Sequence, residues 1–266
     1  MANPGIVISG SSIQDTHAAQ TVYGLRLGTV GYLNGRTYVW CSYTGSTALA
    51  IGEPLVTASA SDQQNLACTT ACLNVGQDVI TGITPGASAI TANQFQDGLM
   101  VVVDGGGQGS AYQIKSHTAF TAATADGSIV LDEPITIASD ASTEITLIQN
   151  KYANVQRSFG YVRTPFVGIP NVAVPAGSST TQYFWAQRVG LCAAFVKGSP
   201  KRGDSVIVAR NERGRLAASV NQVDVIERGE AGRGVVELDP TPVVGQMATD
   251  AIDGEIQIVD LQNPLF

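Results

Sequence analysis

The sequence predicts an all-β protein in which two small β-barrel or sandwich units follow an extended N-terminal arm. Short segments rich in Val, Ile, Thr and Tyr recur about every 10 to 15 residues, a spacing typical of small barrels and sandwiches. The segments between them have turn compositions, such as Pro-Gly-Ala-Ser and Asp-Gly-Gly-Gly. No segment combines the length and the apolar period of a convincing amphipathic helix.

Residues 1–25 are the predicted arm, because they are mostly polar, rich in Gly and Ser and without a hydrophobic period. The N-terminus also lacks the basic and apolar stretches of a secretory signal. No run in the chain approaches the about 18 apolar residues of a membrane span. We therefore expect synthesis in a cytoplasm and no membrane contact.

Residues 26–76 are predicted to form a β-hairpin region that joins the core. Asn34-Gly35 is a strong hairpin signal, and the segment after it is rich in β-formers. Residues 61–76 fit either a short helix or a strand. Their Thr and Cys residues favour the strand, because both are poor helix formers.

Residues 77–152 are predicted to form a small β-barrel, and residues 153–266 a C-terminal β-barrel or sandwich. In the first, five short strand candidates alternate with turn sequences. In the second, breaks such as KGSPKRG and NERG separate the candidates. The strand candidates of residues 77–152 are QDVITGIT, GLMVVVD, SAYQIKSH, GSIVLDEPIT and TEITLIQN. Those of residues 153–266 are YVRTPFVGI, TQYFWAQRVGLCAAFV, DSVIVARN, GRLAASV, GVVELD and GEIQIVDL.

Four glycines in five positions, Gly105, Gly106, Gly107 and Gly109, raise the question of a phosphate-binding loop. A dinucleotide site needs a helix after its glycines, because the N-terminus of that helix holds the phosphate. Here the following residues alternate like a strand, and the glycine spacing fails at Ser110. The segment therefore predicts a hairpin turn.

Charge is sparse and unevenly distributed. Only 14% of the residues are charged, and the formal net charge is −7. Residues 1–150 hold 3 Lys/Arg and 11 Asp/Glu, whereas residues 151–266 hold 12 and 11. The cations crowd into residues 197–215, which fit either solvated hairpins or a patch for an acidic protein surface. The acidic balance, without interleaved aromatic residues, argues against nucleic acid as a partner.

The four cysteines are scattered, and only Cys68 and Cys72 are close in sequence. The nearby chain lacks two further ligands for a zinc site. We therefore expect free, mostly buried thiols.

Catalytic signals are weak throughout the chain. The two histidines, His17 and His117, accompany no triad motif, and most carboxylates fall singly on turns. A β-rich hydrolase, a further alternative function, would need a carboxylate pair, such as Asp104 with Glu133, or a Ser/His pair clustered in a pocket. The sequence therefore predicts a protein that is not an enzyme and that uses no cofactor or metal.

Aromatic residues are concentrated at Tyr183, Phe184 and Trp185. On a strand these side chains alternate between the two faces. One interpretation packs one face into the C-terminal core, and the other makes it a carbohydrate-binding platform.

Four segments in order resemble a family of β-rich virion structural proteins of tailed bacteriophages, which decorate or cement the capsid. Residues 25–56 contain LRLG, NGRTYVWCSYTG and ALAIGEPLV, and residues 91–117 contain the glycine-rich segment. IVLDEPI and LIQNKY follow within 129–152, and YFWAQRVG (183–190) has the frame Trp-x-Gln-x-x-Gly. The cysteines and the basic stretch 197–215 lie outside this resemblance.

The resemblance implies a non-enzymatic protein on the outer surface of an icosahedral head, made in the host cytoplasm, that bridges neighbouring major capsid proteins. It also implies self-association as a trimer or dimer. A tail, neck or fibre component that binds a host glycan is the alternative. From the arm and the basic stretch we expect partner contacts at Ile13, Gln14, His17, Arg202, Arg210, Arg213 and Arg215.

Overall fold

The structure, a computed structural model, describes residues 6–7, 19, 21, 23–58, 63–68, 72–158, 164–209, 212–219, 243–250 and 255–262. Strands dominate these residues, which confirms the predicted all-β class. Seventeen strands run through them: β1 (Ile6–Val7), β2 (Val30–Leu33), β3 (Arg36–Tyr43), β4 (Leu55–Val56), β5 (Gln63–Ala67), β6 (Val79–Thr81), β7 (Leu99–Asp104), β8 (Ala111–His117), β9 (Ser128–Leu131), β10 (Glu144–Ile148), β11 (Gln156–Arg157), β12 (Phe166–Pro170), β13 (Gln182–Lys197), β14 (Ser205–Val208), β15 (Leu216–Ala218), β16 (Gly245–Met247) and β17 (Ile256–Leu261).

The chain forms two compact units, of which the first is discontinuous. Residues 1–58 and 152–266 form the first unit, and residues 59–151 form the second. The division differs from the consecutive segments expected from the sequence, because strands from both ends of the chain pair with each other. β3 pairs with β13, and β4 pairs with both β11 and β12.

The second unit is a curled six-strand half-barrel with the strand order β5-β10-β7-β8-β9-β6. All neighbouring strands in it are antiparallel. Its strands β6 to β10 lie within the five segments predicted as strands. β5 confirms the preference for a strand only in the first part of residues 61–76, because residues 72–76 form bends and a turn. Alternate side chains point inward to one core that includes Leu66, Ile80, Met100, Ile114, Ile129 and Leu147.

The two edge strands of the half-barrel, β5 and β6, meet at one end. An isolated antiparallel bridge joins Cys68 to Ile83, and Thr84 N–H donates to the carbonyl of Ala67 at 3.3 Å. We call this junction the seam.

The first unit contains a closed five-strand barrel. Its strand order is β13-β15-β14-β16-β17, and β17 pairs again with β13 to complete the circuit. Closure removes the free edges on which a sheet would otherwise pair with other chains. The barrel encloses an apolar core that includes Ala194, Val196, Val206, Leu216 and Val259.

β13 is 16 residues long and belongs to two sheets. Its first half pairs with β3 and β12, and its second half pairs with β17 and β15. The change falls at a register shift between Gln187 and Val189, followed by Gly190 with a φ of 90°. Phe184, before the shift, is buried in a separate core between the open-sheet strands.

The predicted hairpin at Asn34-Gly35 joins β2 to β3. Both turn residues have positive φ, 48° and 75°, as a two-residue turn of the primed type requires. β1 adds to the other edge of β2 as a parallel strand.

Candidate interaction surface

The predicted contact residues divide between described and undescribed parts of the chain. Ile13, Gln14, His17 and Arg210 lie outside the described residues. Arg202 and Arg213 are exposed, and Arg215 is half-buried. These three belong to the first unit.

Part of the basic stretch is neutralised by its own acidic residue. Glu212 Oε1 lies 3.1 Å from Lys197 Nζ, and Glu212 Oε2 lies 3.3 Å from Arg215 Nε. All three side chains are partly exposed, so each pair contributes at most about 1 kcal/mol. Glu212 therefore offsets part of the positive charge of residues 197–215.

The turn between β13 and β14 presents its cations outward. Asp204 Oδ2 accepts a hydrogen bond from Lys201 N–H at 2.7 Å, and Asp250 Oδ1 accepts one from Arg202 N–H at 2.8 Å. These carboxylates hold the backbone of the turn. The side chains of Lys201 and Arg202 remain exposed.

The two units differ sharply in charge. Residues 59–151 contain 2 Lys/Arg and 9 Asp/Glu, a formal charge of −7. Residues 1–58 and 152–266 together contain 13 Lys/Arg and 13 Asp/Glu and are formally neutral. The excess negative charge of the protein is thus confined to the half-barrel unit.

The aromatic residues of β13 contribute to a packed cluster. Trp40 and Trp185 meet edge to face with ring centroids 5.1 Å apart, and Tyr183 stacks on Trp40 at 6.4 Å. The two tryptophans are only 2% and 5% exposed, because Leu25 and Leu27 pack against them. A sugar platform needs an open aromatic face, so this arrangement favours the core-packing interpretation.

The barrel carries an apolar row on its outer surface. Leu191 on β13 is 52% exposed, and Ile256 and Ile258 on β17 are 45% and 47% exposed. Phe195 lies directly opposite Ile256, and Ala193 lies directly opposite Ile258. We call these five residues the outer face. Cys192, Ala194, Val196 and Val259, which alternate with them along the two strands, point into the barrel core, so register determines which side chains meet solvent.

Opposite charges lie at two diagonal corners of the outer face. Asp260 on β17 lies opposite Leu191, at one end. Lys197, two residues beyond Phe195, ends the same side of β13 at the other end. Alternation along each strand places both side chains on the outward side.

The glycine-rich segment is the turn between β7 and β8, as predicted. Gly105 and Gly109 have φ values of 74° and 88°. A Cβ on Gly105 would lie 2.5 Å from Thr143 N, and one on Gly106 would lie 2.6 Å from the carbonyl oxygen of Ala138. The glycines therefore allow two turns of the half-barrel to pack in backbone contact.

His117 has a structural role in the half-barrel. Its Nε2 accepts a hydrogen bond from Phe95 N–H at 2.9 Å, so the ring proton resides on Nδ1, which lies 2.7 Å from the carbonyl oxygen of Thr118. Burial lowers the pKa of His117, although the Thr118 carbonyl opposes the shift. Both nitrogens are engaged by the backbone, and the imidazole is held neutral.

The expectation that all four cysteines are free thiols is wrong for one pair. Cys68 and Cys72 form a disulfide with their Cα atoms 5.9 Å apart, within the range that such a bond spans. Cys41 and Cys192 are free and buried, as expected. Burial raises the pKa of the Cys192 thiol to about 12 and also raises that of Cys41.

Within the described residues, no group of three or more His, Cys, Asp or Glu side chains is arranged to hold a metal ion. No helix among those residues is long and apolar enough to cross a membrane. The sequence matches no protein-family model, and neither a curated protein nor a solved structure matches it significantly. The features that can support a function are therefore those of the chain itself: the charge division between the units, the cationic turns and the outer face.

Proposed function

We propose that this protein is a non-enzymatic structural component of a phage virion that binds the outer capsid surface and cements neighbouring major capsid proteins. The proposal rests on the resemblance of four ordered segments to capsid decoration proteins. The all-β architecture of two compact units agrees with that resemblance.

The observation that carries the proposal furthest is the division of charge between the units. The acidic protein surface expected as the partner of residues 197–215 repels a unit of charge −7, whereas a neutral unit with exposed cations can approach it. Lys201, Arg202 and Arg213 are exposed cations of the neutral unit. The barrel unit is therefore the docking unit, and the half-barrel unit remains in solvent.

Binding of this kind stabilises a shell by mass action. A ligand that binds only the expanded shell stabilises it by about 2.7 kcal/mol per site at a concentration a hundredfold above its Kd. Many copies on a closed lattice add to this effect through multivalency. No chemical step is required, so the arrangement of surface charge and shape is sufficient for the role.

The direct test is co-sedimentation of the purified protein with decoration-free expanded heads of its own phage. We expect saturation at a fixed number of copies per major capsid protein. Absence of binding would overturn the proposal and favour the tail, neck or fibre alternative. A glycan array would then be the next measurement.

Charge reversal tests the docking unit. The double variant Arg202→Glu/Arg213→Glu is expected to bind heads about tenfold more weakly and with a smaller salt dependence. Lys115→Glu, an exposed reversal on β8 of the acidic unit, is the matched control and is expected to bind like wild type. Equal loss in both variants would contradict docking through the barrel unit.

A further inference from the structure

The outer face is apolar at its centre and oppositely charged at two corners. Leu191, Ile256 and Ile258 are each about half exposed, and no charged residue interrupts the pairs Phe195–Ile256 and Ala193–Ile258. A regular sheet surface with adjacent apolar side chains is the kind of patch that marks a protein interface.

The placement of the charges makes this face self-complementary. Asp260 lies at the end of the face next to Leu191, and Lys197 lies at the diagonally opposite corner, beyond Phe195. A twofold axis in the plane of the face, perpendicular to this diagonal, exchanges the two corners. A second copy related by that axis places its Lys197 over Asp260 and its Asp260 over Lys197, with apolar side chains between.

We infer that the outer face of the barrel is the contact surface for a second copy of this chain, in an isologous dimer with two reciprocal Lys197–Asp260 pairs. The resemblance implies self-association but names no surface for it, and this inference assigns the surface and the symmetry. The dimer also goes beyond the proposed capsid role, since it forms in solution without a shell. Lys197 already lies 3.1 Å from Glu212, but that pair is partly exposed and leaves the ammonium group accessible.

The size of the face sets the strength of the dimer. Five partly exposed side chains on a convex barrel cover less than the about 800 Å² per partner of a standard interface. Their burial is offset by the entropy lost on association. The dimer is therefore weak and concentration-dependent, with a Kd in the micromolar to millimolar range.

Analytical ultracentrifugation over a wide concentration range tests this inference. Wild type is expected to show a monomer–dimer equilibrium, and Ile258→Glu is expected to raise Kd more than tenfold. Val75→Glu is the control, because Val75 is 64% exposed but belongs to the half-barrel unit. A wild-type protein that stays monomeric, forms trimers, or dimerises equally after Ile258→Glu would overturn the inference.

A charge exchange tests the orientation of the two copies. Asp260→Lys and Lys197→Glu are each expected to weaken the dimer severalfold, and the double variant is expected to recover most of the loss. Absence of recovery overturns this arrangement even if wild type dimerises. Circular dichroism verifies folding of each variant, and Ile256→Thr replaces Ile258→Glu if that variant unfolds.

The dimer inference and the capsid proposal can be overturned independently of each other. If the Ile258→Glu variant is monomeric but still saturates heads normally, the dimer surface is supported and the capsid proposal is unaffected. Wild type that dimerises but does not bind heads supports the dimer and overturns the capsid role.

Discussion

The side-chain amide of Gln187 donates a hydrogen bond to the carbonyl oxygen of Gly190, 3.1 Å away, where β13 passes from the open sheet into the barrel. The same Nε2 lies 3.2 Å and 2.9 Å from the carbonyl oxygens of Val189 and Leu191. Gln187 Oε1 accepts from Asn171 Nδ2 at 2.8 Å. A fully buried amide therefore directs its two N–H donors at three backbone carbonyls beside the point where the pairing of β13 with β3 shifts register.

Replacement of Gln187 by Leu is expected to destabilise the protein by about 3 kcal/mol, because buried carbonyl groups lose their donor. Urea unfolding followed by circular dichroism measures this change. Gln246→Leu on β16 is the control, since Gln246 is exposed and its loss costs less than about 0.5 kcal/mol. Equal midpoints for the two variants would contradict the role assigned to Gln187.

In the turn between β7 and β8, close packing at Gly106 and positive φ at Gly109 are two separate reasons for glycine, and substitutions can distinguish them. Gly106→Ala is expected to cost about 2 kcal/mol or more, because its Cβ would lie 2.6 Å from the carbonyl oxygen of Ala138 and the backbone must shift. Gly109→Ala has open space and suffers only from its positive φ, at about 1 kcal/mol. Thermal unfolding of both variants checks the order. A larger loss for Gly109→Ala would show that close packing is not what the turn requires.

The stability of the half-barrel is expected to depend on pH through His117. Its pKa is lower in the folded protein than the about 6.5 of an unfolded chain, so the unfolded state binds the proton more readily. Stability is therefore full above pH about 6.5, falls as the pH drops through that value and levels off below the folded pKa.

Urea midpoints of wild type and His117→Gln between pH 8 and pH 5 measure the His117 dependence. The variant loses stability at every pH, and the gap between the two proteins is expected to narrow toward pH 5. All other titrating groups are the same in both proteins, so the difference between them reports His117. A gap that stays constant across this range would overturn the assignment.

Reduction of the Cys68–Cys72 disulfide is expected to loosen the seam. A loop this short gives about 2 kcal/mol of stabilisation in the chain-entropy treatment. Hydrogen exchange is expected to be faster with a reductant than without it in β5 and at Thr84, whose N–H donates across the seam. The variant Cys68→Ser/Cys72→Ser is the control, and a reductant effect in it would point to Cys41 or Cys192 instead.

The strand positions could be predicted because they depend on local properties. Alternating apolar residues and Gly- or Asn-containing turns place β6 to β10, the hairpin at Asn34-Gly35 and the turn at Gly105. The disulfide could not be predicted in the same way. Two cysteines four residues apart pair only if the intervening chain turns back, and the composition around them does not specify that turn.

The candidate surface depended on information that the sequence lacks. The cations of residues 197–215 are visible in the sequence, but the ion pairs of Glu212 with Lys197 and Arg215 are not. The outer face is also hidden, because β13 and β17 carry apolar residues on both sides. Periodicity cannot say which side of such a strand is buried.

The all-β class, the local turns and the concentration of negative charge in one region can be predicted from the sequence, since each depends on residues close together in the chain. Three further features emerge only in the folded protein: β3 and β4 pair with strands beyond residue 152, β13 belongs to two sheets, and Trp40 is covered while Ile258 is exposed. These outcomes depend on pairing between distant segments. Such pairing is selected by the packing of the whole core rather than by any local preference.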